Sequence, residues 1–468
     1  MFIQQLYTAC LSEAAYYIES NGEAAVIDPL RDIDQYIQLA KDRKATIKYI
    51  FETHFHADFV SGHIDLSNAT GAPIIFGPQA NTDFKVHNAT DGEVFALGEI
   101  SLTALHTPGH TLESTCYLLK DKDSKPHAVF TGDTLFVGDV GRPDLSSGNM
   151  SSEELAVILY NSLQNKVLPL PDDVIVYPAH GPGSSCGKNL GPETFSTIAE
   201  QKATNYALQP QTVEEFVKSV TEGLKDAPVY FAINASINKK GYENIDRVIM
   251  RGTTALDLAT FKHLKSNNDT IVLDTRNATL FTEGFIPQSV FIGLEGRFAE
   301  WAGSLLPFDH DLILITPAGQ EKETVVRLSR VGFENMLGYL NGGFETWKNA
   351  GEPIDIIVDI EPDELMMDIP YDPNLLVVDV RKEAEFGDGH LPDAHNLPLD
   401  TMNDIVELAN LEESQNLYVY CAGGYRSVIA CSLLKRHGFN NIRNVLGGWG
   451  KIKELENVKI VKEPRVLN

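Results

Sequence analysis

Thr53-His54-Phe55-His56-Ala57-Asp58-Phe59 sets two imidazoles and a carboxylate within five residues. An apolar run (Ile47, Tyr49, Ile50, Phe51) precedes it and reads as a strand. Ligands packed this closely on a strand-to-helix turn can converge on one metal ion, and imidazole with carboxylate suits zinc or iron. Phe59 offers no ligand atom. Three further segments carry metal-type residues at strand ends: Thr107-Pro108-Gly109-His110-Thr111, Thr131-Gly132-Asp133-Thr134 and Tyr177-Pro178-Ala179-His180-Gly181. Gly or Pro in each permits a tight turn that aims a side chain out of the sheet edge. One such His or Asp is ordinarily a solvated or capping group; four such loops in one stretch of chain point to a shared site. His63, His87, His106 and His127 lack matching partners and read as packing or surface residues, and Cys10, Cys116 and Cys186 as small buried apolar groups.

A second chemistry lies near the C-terminal end. Cys421-Ala422-Gly423-Gly424-Tyr425-Arg426-Ser427 follows the apolar run Leu417-Tyr418-Val419-Tyr420 and precedes a helix-like segment. Small residues let the backbone curl so that several N–H groups point inward, and a helix N-terminus adds positive potential. Such a cradle favours a thiolate and binds an oxyanion or a persulfide sulfur. Arg426 is expected to add a fixed charge there. Cys431, on the helix, reads as structural.

The elements that carry these residues differ along the chain. The first 245 residues or so hold short strands (Ala24–Ile27, Tyr49–Phe51, Ile74–Phe76, Ser101–Leu105, Ala128–Phe130, Val174–Tyr177) with helices between some of them, and a helical run is expected from Glu193 to Leu224. Beyond lies an internal repeat. Leu273-Asp274-Thr275-Arg276 recurs as Val378-Asp379-Val380-Arg381, Phe281 through Pro287 recurs as Phe386 through Pro392, and Gly342-Gly343-Phe344 is matched by Gly447-Gly448-Trp449, all at an offset of 105 residues. So long a period means duplicated domains. Each copy alternates strand-like runs (Thr270–Leu273, Leu312–Thr316; Leu375–Val378, Leu417–Tyr420) with helix-like segments (Glu321–Val331; Ser427–His437), the pattern of a parallel sheet with helices on its faces. Gly351 and Pro353 mark the break between copies. The expected domains are therefore 1–245, 246–353 and 354–468.

Composition bounds the function. A chain of 468 residues exceeds one hydrophobic core, and its 43% hydrophobic and 22% charged content is that of a folded soluble protein. The net charge of -27 opposes nucleic acid and anionic membrane as partners. No apolar run has the length of a membrane span, and Met1–Glu19 lacks a secretory pattern. Five scattered cysteines are no disulfide framework, so a reducing cytoplasm is expected.

On the four metal-type loops, residues 1 to about 245 resemble the metallo-β-lactamase fold, a four-layer αββα sandwich, and within it the persulfide dioxygenases. The resemblance implies one Fe(II) per chain, held by His54, His110 and Asp133 as a two-His-one-carboxylate triad with open positions for O2 and substrate. It places His56, Asp58 and His180 around those ligands, orienting them or bound water, and gives Arg142 the task of gripping a carboxylate of the thiol carrier. Hydrolytic relatives of glyoxalase II type carry a further His where Phe59 stands and bind two metals; Phe59 argues against that second ion. Segment 355–460 resembles rhodanese, whose C-x-x-G-x-R loop is matched by Cys421, Gly424 and Arg426, with Gly423, Gly424, Tyr425 and Ser427 lining the sulfur cradle. The first copy reads Thr316-Pro317-Ala318-Gly319-Gln320 at that place, with no thiol, and Pro317 removes a backbone donor; it is expected to be an inactive rhodanese-like domain.

Together these resemblances imply a fused enzyme of sulfide detoxification. It would oxidise low-molecular-weight thiol persulfides by O2 to sulfite and interconvert sulfite and thiosulfate through Cys421. The alternative is a two-zinc thiolester hydrolase with a sulfurtransferase tail; a second rival is a non-catalytic persulfide carrier. The carrier thiol stays open among glutathione, coenzyme A, cysteine and bacillithiol. A homo-oligomer stays open too: many such relatives form dimers or tetramers, and the sequence shows no interface signature.

Overall fold

A computed structural model describes residues 1–145, 150–188, 190–224, 226–402, 408 and 411–463. The chain divides into two compact units, one of residues 1–247 with 326–334 and one of residues 248–325 with 335–468.

The first unit is built on two six-stranded sheets. Strands β1 (Phe2–Thr8), β2 (Glu13–Ser20), β3 (Glu23–Ile27), β4 (Thr46–Phe51), β5 (Ile74–Phe76) and β6 (His87–Asn88) lie in sequence order, antiparallel from β1 to β3 and parallel from β3 to β6. The second sheet runs β12 (Ser196–Thr197), β11 (Ile175–Pro178), β10 (Pro126–Gly132), β9 (Thr115–Lys120), β8 (Ile100–His106), β7 (Val94–Leu97), and only β10 and β11 are parallel within it. Alternate residues of both sheets meet in a buried layer that includes Tyr16, Ile18, Phe51, Phe95, Tyr117 and Phe130, as the two-residue period of a strand requires. Helices cover the outer faces: Tyr36, Ala40 and Leu66 pack on the first sheet, and Ala156, Leu159, Ile198 and Phe216 on the second. This is the αββα sandwich that the resemblance implied.

The expected helix from Glu193 to Leu224 is not continuous. It is β12, a helix over Ile198–Thr204, a short 3-10 turn and a helix over Val213–Thr221. Thr197 and Thr212 each cap a new helix, accepting from the backbone N–H of Glu200 and Glu215 while those glutamates return to the cap's own N–H. Two capping boxes in one run restart the helix and break it.

The second unit holds two five-stranded, all-parallel sheets. The first orders β13 (Ala255–Leu256), β17 (Met336–Leu340), β16 (Asp311–Ile315), β14 (Thr270–Asp274), β15 (Val290–Phe291); the second orders β18 (Val358–Ile360), β22 (Ile442–Val445), β21 (Asn416–Tyr420), β19 (Leu375–Asp379), β20 (His395–Asn396). The repeated Asp-x-Arg has one task in both copies. Arg276 forks onto Asp274 and donates to the Gly284 carbonyl at 2.8 Å; Arg381 forks onto Asp379 and donates to the Gly389 carbonyl at 2.7 Å. A buried guanidinium so satisfied ties a strand end to the following loop.

The boundary expected at 245/246 meets the start of a helix, Ile245–Gly252. Residues 326–334, expected in the middle domain, pack with the first unit instead. Among the described residues no helix is long and apolar enough to cross a membrane.

Candidate metal centre and sulfur cradle

The four metal-type loops meet at one edge of the first unit. β4 delivers His54, His56 and Asp58, the turn after β8 delivers His110, β10 ends on Asp133 and β11 leads to His180. Gly132 (φ 52°) makes the approach possible, since a Cβ there would stand 2.6 Å from Thr53. His54, His110 and Asp133 come together with their ligand atoms within 4.8 Å of one another, and His56, Asp58 and His180 form a second such group. All six are buried.

The donor atoms fit a metal. Asp133 Oδ2 lies 3.4 Å from His110 Nε2 and 3.7 Å from His54 Nε2; its Oδ1 lies 3.4 Å from His180 Nε2. Two atoms each about 2.1 Å from one ion stand about 3.0–3.4 Å apart between right-angled and tetrahedral geometry. Both Asp133 oxygens, Asp58 Oδ1, His180 Nε2 and both nitrogens of His56 are buried without a hydrogen-bond partner. Buried polar atoms left so cost free energy unless something else satisfies them. The ring tautomers agree with ligation. His110 Nδ1–H donates to the Arg142 carbonyl at 2.8 Å and His180 Nδ1–H to the Ser12 carbonyl at 3.2 Å, which turns each Nε2 lone pair to the site. Burial and the neighbouring imidazoles of His56, His110 and His180 push the His54 imidazole well down, keeping it neutral. Burial also pushes the Asp58 carboxyl up. For His180 burial works downward, and the carboxylates of Asp58 and Asp133 outweigh it, so the imidazole is raised.

Phe59 is fully buried with its ring 4.3 Å from that of His56. Beneath the motif lies a layer the sequence reading missed. Asp28 accepts from the backbone N–H and the hydroxyl of Thr53 at 2.7 and 2.8 Å, and stands 3.1 Å from His56 Nε2. Asn238, fully buried, donates to the carbonyls of His56 and Phe59 at 2.8 Å each and accepts from Ser61 N–H at 2.9 Å. The backbone N–H of Val60 donates to the Arg330 carbonyl at 2.7 Å, and Arg330 forks onto Asp32 at 2.9 Å twice. No local pattern marks Asn238 or Arg330, which lie 177 residues or more from the loop they hold.

Two expectations need correction here. Cys186 is not a bland apolar residue: its sulfur lies within 4.8 Å of ligand atoms of Asp133 and His180, and burial followed by the Asp58 and Asp133 charges pushes its thiol well up. Cys10 is half-buried rather than buried. His63 is packing, as expected, with its ring 5.2 Å from Phe84. Arg142 lies beside the site, but its guanidinium forks onto Asp144 at 2.9 and 2.6 Å while its carbonyl orients His110.

The sulfur cradle closes the second copy's sheet. β21 ends at Tyr420, just before Cys421, whose thiol is almost fully buried, and Gly424 N–H donates to Sγ at 3.0 Å. Gly424 holds φ 110°, and Gly423 and Tyr425 complete the curl into the helix Tyr425–Arg436. Arg426 stands on the first turn of that helix, and its guanidinium forks onto Glu385 at 2.7 and 2.8 Å, a hydrogen bond that holds the Glu385 carboxyl below the usual range. At the equivalent place the first copy has a cavity of about 830 Å³ lined by Thr316, Pro317, Ala318, Glu321 and Glu323.

Comparisons with known proteins match both parts of the chain. The metallo-beta-lactamase superfamily model matches residues 9–180, and the rhodanese-like domain model matches residues 257–350 and again 361–455. A probable hydroxyacylglutathione hydrolase of Schizosaccharomyces pombe is 32% identical over 160 residues, 33% of this chain and 58% of that protein, so less than two thirds of its length is spanned. The mitochondrial persulfide dioxygenase of Homo sapiens is 31% identical over 198 residues, covering 42% of this chain and 70% of that one. A solved metallo-beta-lactamase structure from Staphylococcus aureus aligns with a TM-score of 0.65 at 31% identity over 73% of this chain and 99% of that one.

Proposed function

This chain belongs to the metallo-β-lactamase superfamily and carries two rhodanese-like domains behind that unit, and from that premise we propose that it oxidises low-molecular-weight thiol persulfides with O2 and passes sulfane sulfur through Cys421. The observation that carries the reading is Phe59: an apolar ring packs on His56 where a ligand would serve a second ion, while His54, His110 and Asp133 bring their ligand atoms within 4.8 Å of one another. The cradle at Cys421, a site for persulfide sulfur on the same chain, supports it. The overall step is R–S–S⁻ + O2 + H2O → R–S⁻ + sulfite + 2 H⁺.

Bound at that triad, Fe(II) would supply one-electron chemistry and open positions for O2 and sulfur. The chain's own groups do the rest. Arg142 and Ser12 carbonyls hold His110 and His180 in the ligating tautomer. His180 Nε2, between Asp58 and Asp133, is placed to hold a released proton. Arg142 is the proposed grip for the carrier's carboxylate, which must compete with Asp144 for the guanidinium fork. At Cys421 a persulfide transfers its outer sulfur to sulfite: Cys–S–S⁻ + SO3²⁻ → Cys–S⁻ + S2O3²⁻, breaking one S–S bond and forming another. All five cysteines are free thiols, four of them buried, in keeping with a reducing cytoplasm.

One observation favours a second reading. His56, Asp58 and His180 also leave donor atoms unpaired beside Asp133, which would suit a two-zinc thiolester hydrolase. Oxygen uptake by anaerobically purified, metal-quantified protein on adding glutathione persulfide separates the two. The proposal expects uptake with about one iron per chain, abolished by His110→Ala. No uptake with any thiol persulfide, about two zinc ions per chain and thiolester hydrolysis would establish the hydrolase.

A further inference from the structure

Behind the Cys421 thiol runs a chain of hydrogen bonds with a fixed direction, and it starts in the silent copy. Thr282 Oγ1 donates to Asp359 Oδ2 at 2.6 Å. Asp359 Oδ1 accepts from Asn444 Nδ2 at 2.7 Å. Asn444 Oδ1 accepts from Ser427 Oγ at 2.6 Å, and Ser427 Oγ stands 3.7 Å from Cys421 Sγ. Ser427 and Asn444 are buried, so no bulk water replaces these partners.

The donor roles follow from Asp359. A carboxylate only accepts, so Asn444 must turn its NH2 toward it and its carbonyl toward Ser427. The Ser427 hydroxyl has one proton and already faces two acceptors, Asn444 Oδ1 and the Gly424 carbonyl at 3.0 Å. What it presents to sulfur is a lone pair. A lone pair accepts from S–H and repels S⁻. The Gly424 N–H on the same sulfur acts the other way, favouring negative charge.

We propose that Ser427 is a positioning residue that faces Cys421 as a hydrogen-bond acceptor, held in that sense by Asn444 and Asp359, and that this relay restrains the resting thiol from ionising. The silent copy gains a task as well, since Thr282 anchors the far end of the relay. Once Cys421 carries a sulfane sulfur it has no S–H to donate, and the restraint lapses: the relay acts on the empty cradle alone. The inference rests on Cys421 as the sulfur-carrying thiol and is independent of the chemistry at the metal centre. The titratable groups facing the loop are Asp359, Arg426 with its partner Glu385, the Asp379–Arg381 pair of β19 and the buried Cys431.

The test is the pH profile of Cys421 alkylation by iodoacetamide in the full chain, followed by mass spectrometry of the Cys421 peptide. With Ser427→Ala the thiol loses its acceptor. The midpoint moves to lower pH and the rate near neutrality rises about threefold, close to the factor of one weak hydrogen bond, while the high-pH plateau holds. Asn444→Ala frees the serine proton for sulfur and moves the midpoint the same way. A midpoint that stays or moves to higher pH in Ser427→Ala would overturn the proposal, because a hydroxyl donating to the thiolate gives that sign. A change in plateau alone, with the midpoint fixed, would also overturn it, since that reports only a loosened loop. Dioxygenase activity enters none of these outcomes.

Discussion

His63 is an ionisable ring kept neutral by its surroundings. It is fully buried, stacks on Phe84 and stands 3.5 Å from Glu52; burial, then the His56 and Arg31 charges, lower it to about 3. The unfolded chain takes up a proton near pH 6.5 and the folded chain does not until far lower. The unfolded state therefore binds more protons across that window, and stability rises with pH through it. Read downward, stability from this ring is complete above about pH 6.5 and falls by at most about 1.4 kcal/mol per pH unit below it. Denaturant midpoints between pH 7 and pH 5 should show His63→Phe flattening the acid loss relative to the parent chain, since phenylalanine keeps the stack and takes no proton. Parallel slopes for the two proteins would mean His63 is not the group responsible. The same residue shows what spacing can tell. Its neighbours in sequence gave no matching ligand, and packing is what the fold assigns it.

Elements were legible where their signals are local. The 105-residue offset places Asp274 with Asp379 and Arg276 with Arg381, and these pairs make the same buried forks. The expected strand runs of the first 245 residues fall within three residues of the ends of β3, β4, β5, β8, β10 and β11. What stayed hidden depends on contacts far apart along the chain: Asn238 clamping the metal loop, and segment 326–334 packing into the first unit. The capping boxes at Thr197 and Thr212 were readable, and the apolar pattern across Glu193–Leu224 obscured them. Segment 326–334 bears on the metal loop through the Arg330 carbonyl on Val60 N–H and the Arg330–Asp32 fork. Arg330→Ala removes the fork, costing about 1–2 kcal/mol after discount for partial exposure. It should also speed loss of metal to a chelator several-fold. Lys435→Ala, which breaks the Lys435–Asp355 pair of the second unit, should lower stability with no such effect. Equal metal retention in Arg330→Ala and the parent would show that 326–334 does not support the loop.

For the whole molecule, two sulfur chemistries on one chain imply a particular product. The proposed oxidation releases sulfite, and in the proposed transfer Cys421 in its persulfide form passes sulfur to sulfite. The two steps share one species, so the product that leaves should be thiosulfate whenever persulfide is in excess. At Cys421 the Gly424 amide and the helix N-terminus favour the anion, beside the Arg426–Glu385 pair. Loss of the thiol is therefore the cleanest cut between the steps. Cys421→Ser keeps the size of the side chain and the hydrogen bond to Gly424 while removing the sulfur carrier. With excess glutathione persulfide under air, and products counted per O2 consumed, the parent should yield chiefly thiosulfate. The variant should yield sulfite in roughly one-to-one ratio with O2, apart from the slow uncatalysed reaction of sulfite with persulfide, which a protein-free control measures. Thiosulfate formed at the parent's ratio by Cys421→Ser would place sulfur transfer elsewhere on the chain, with Cys186 beside Asp133 the thiol to replace next.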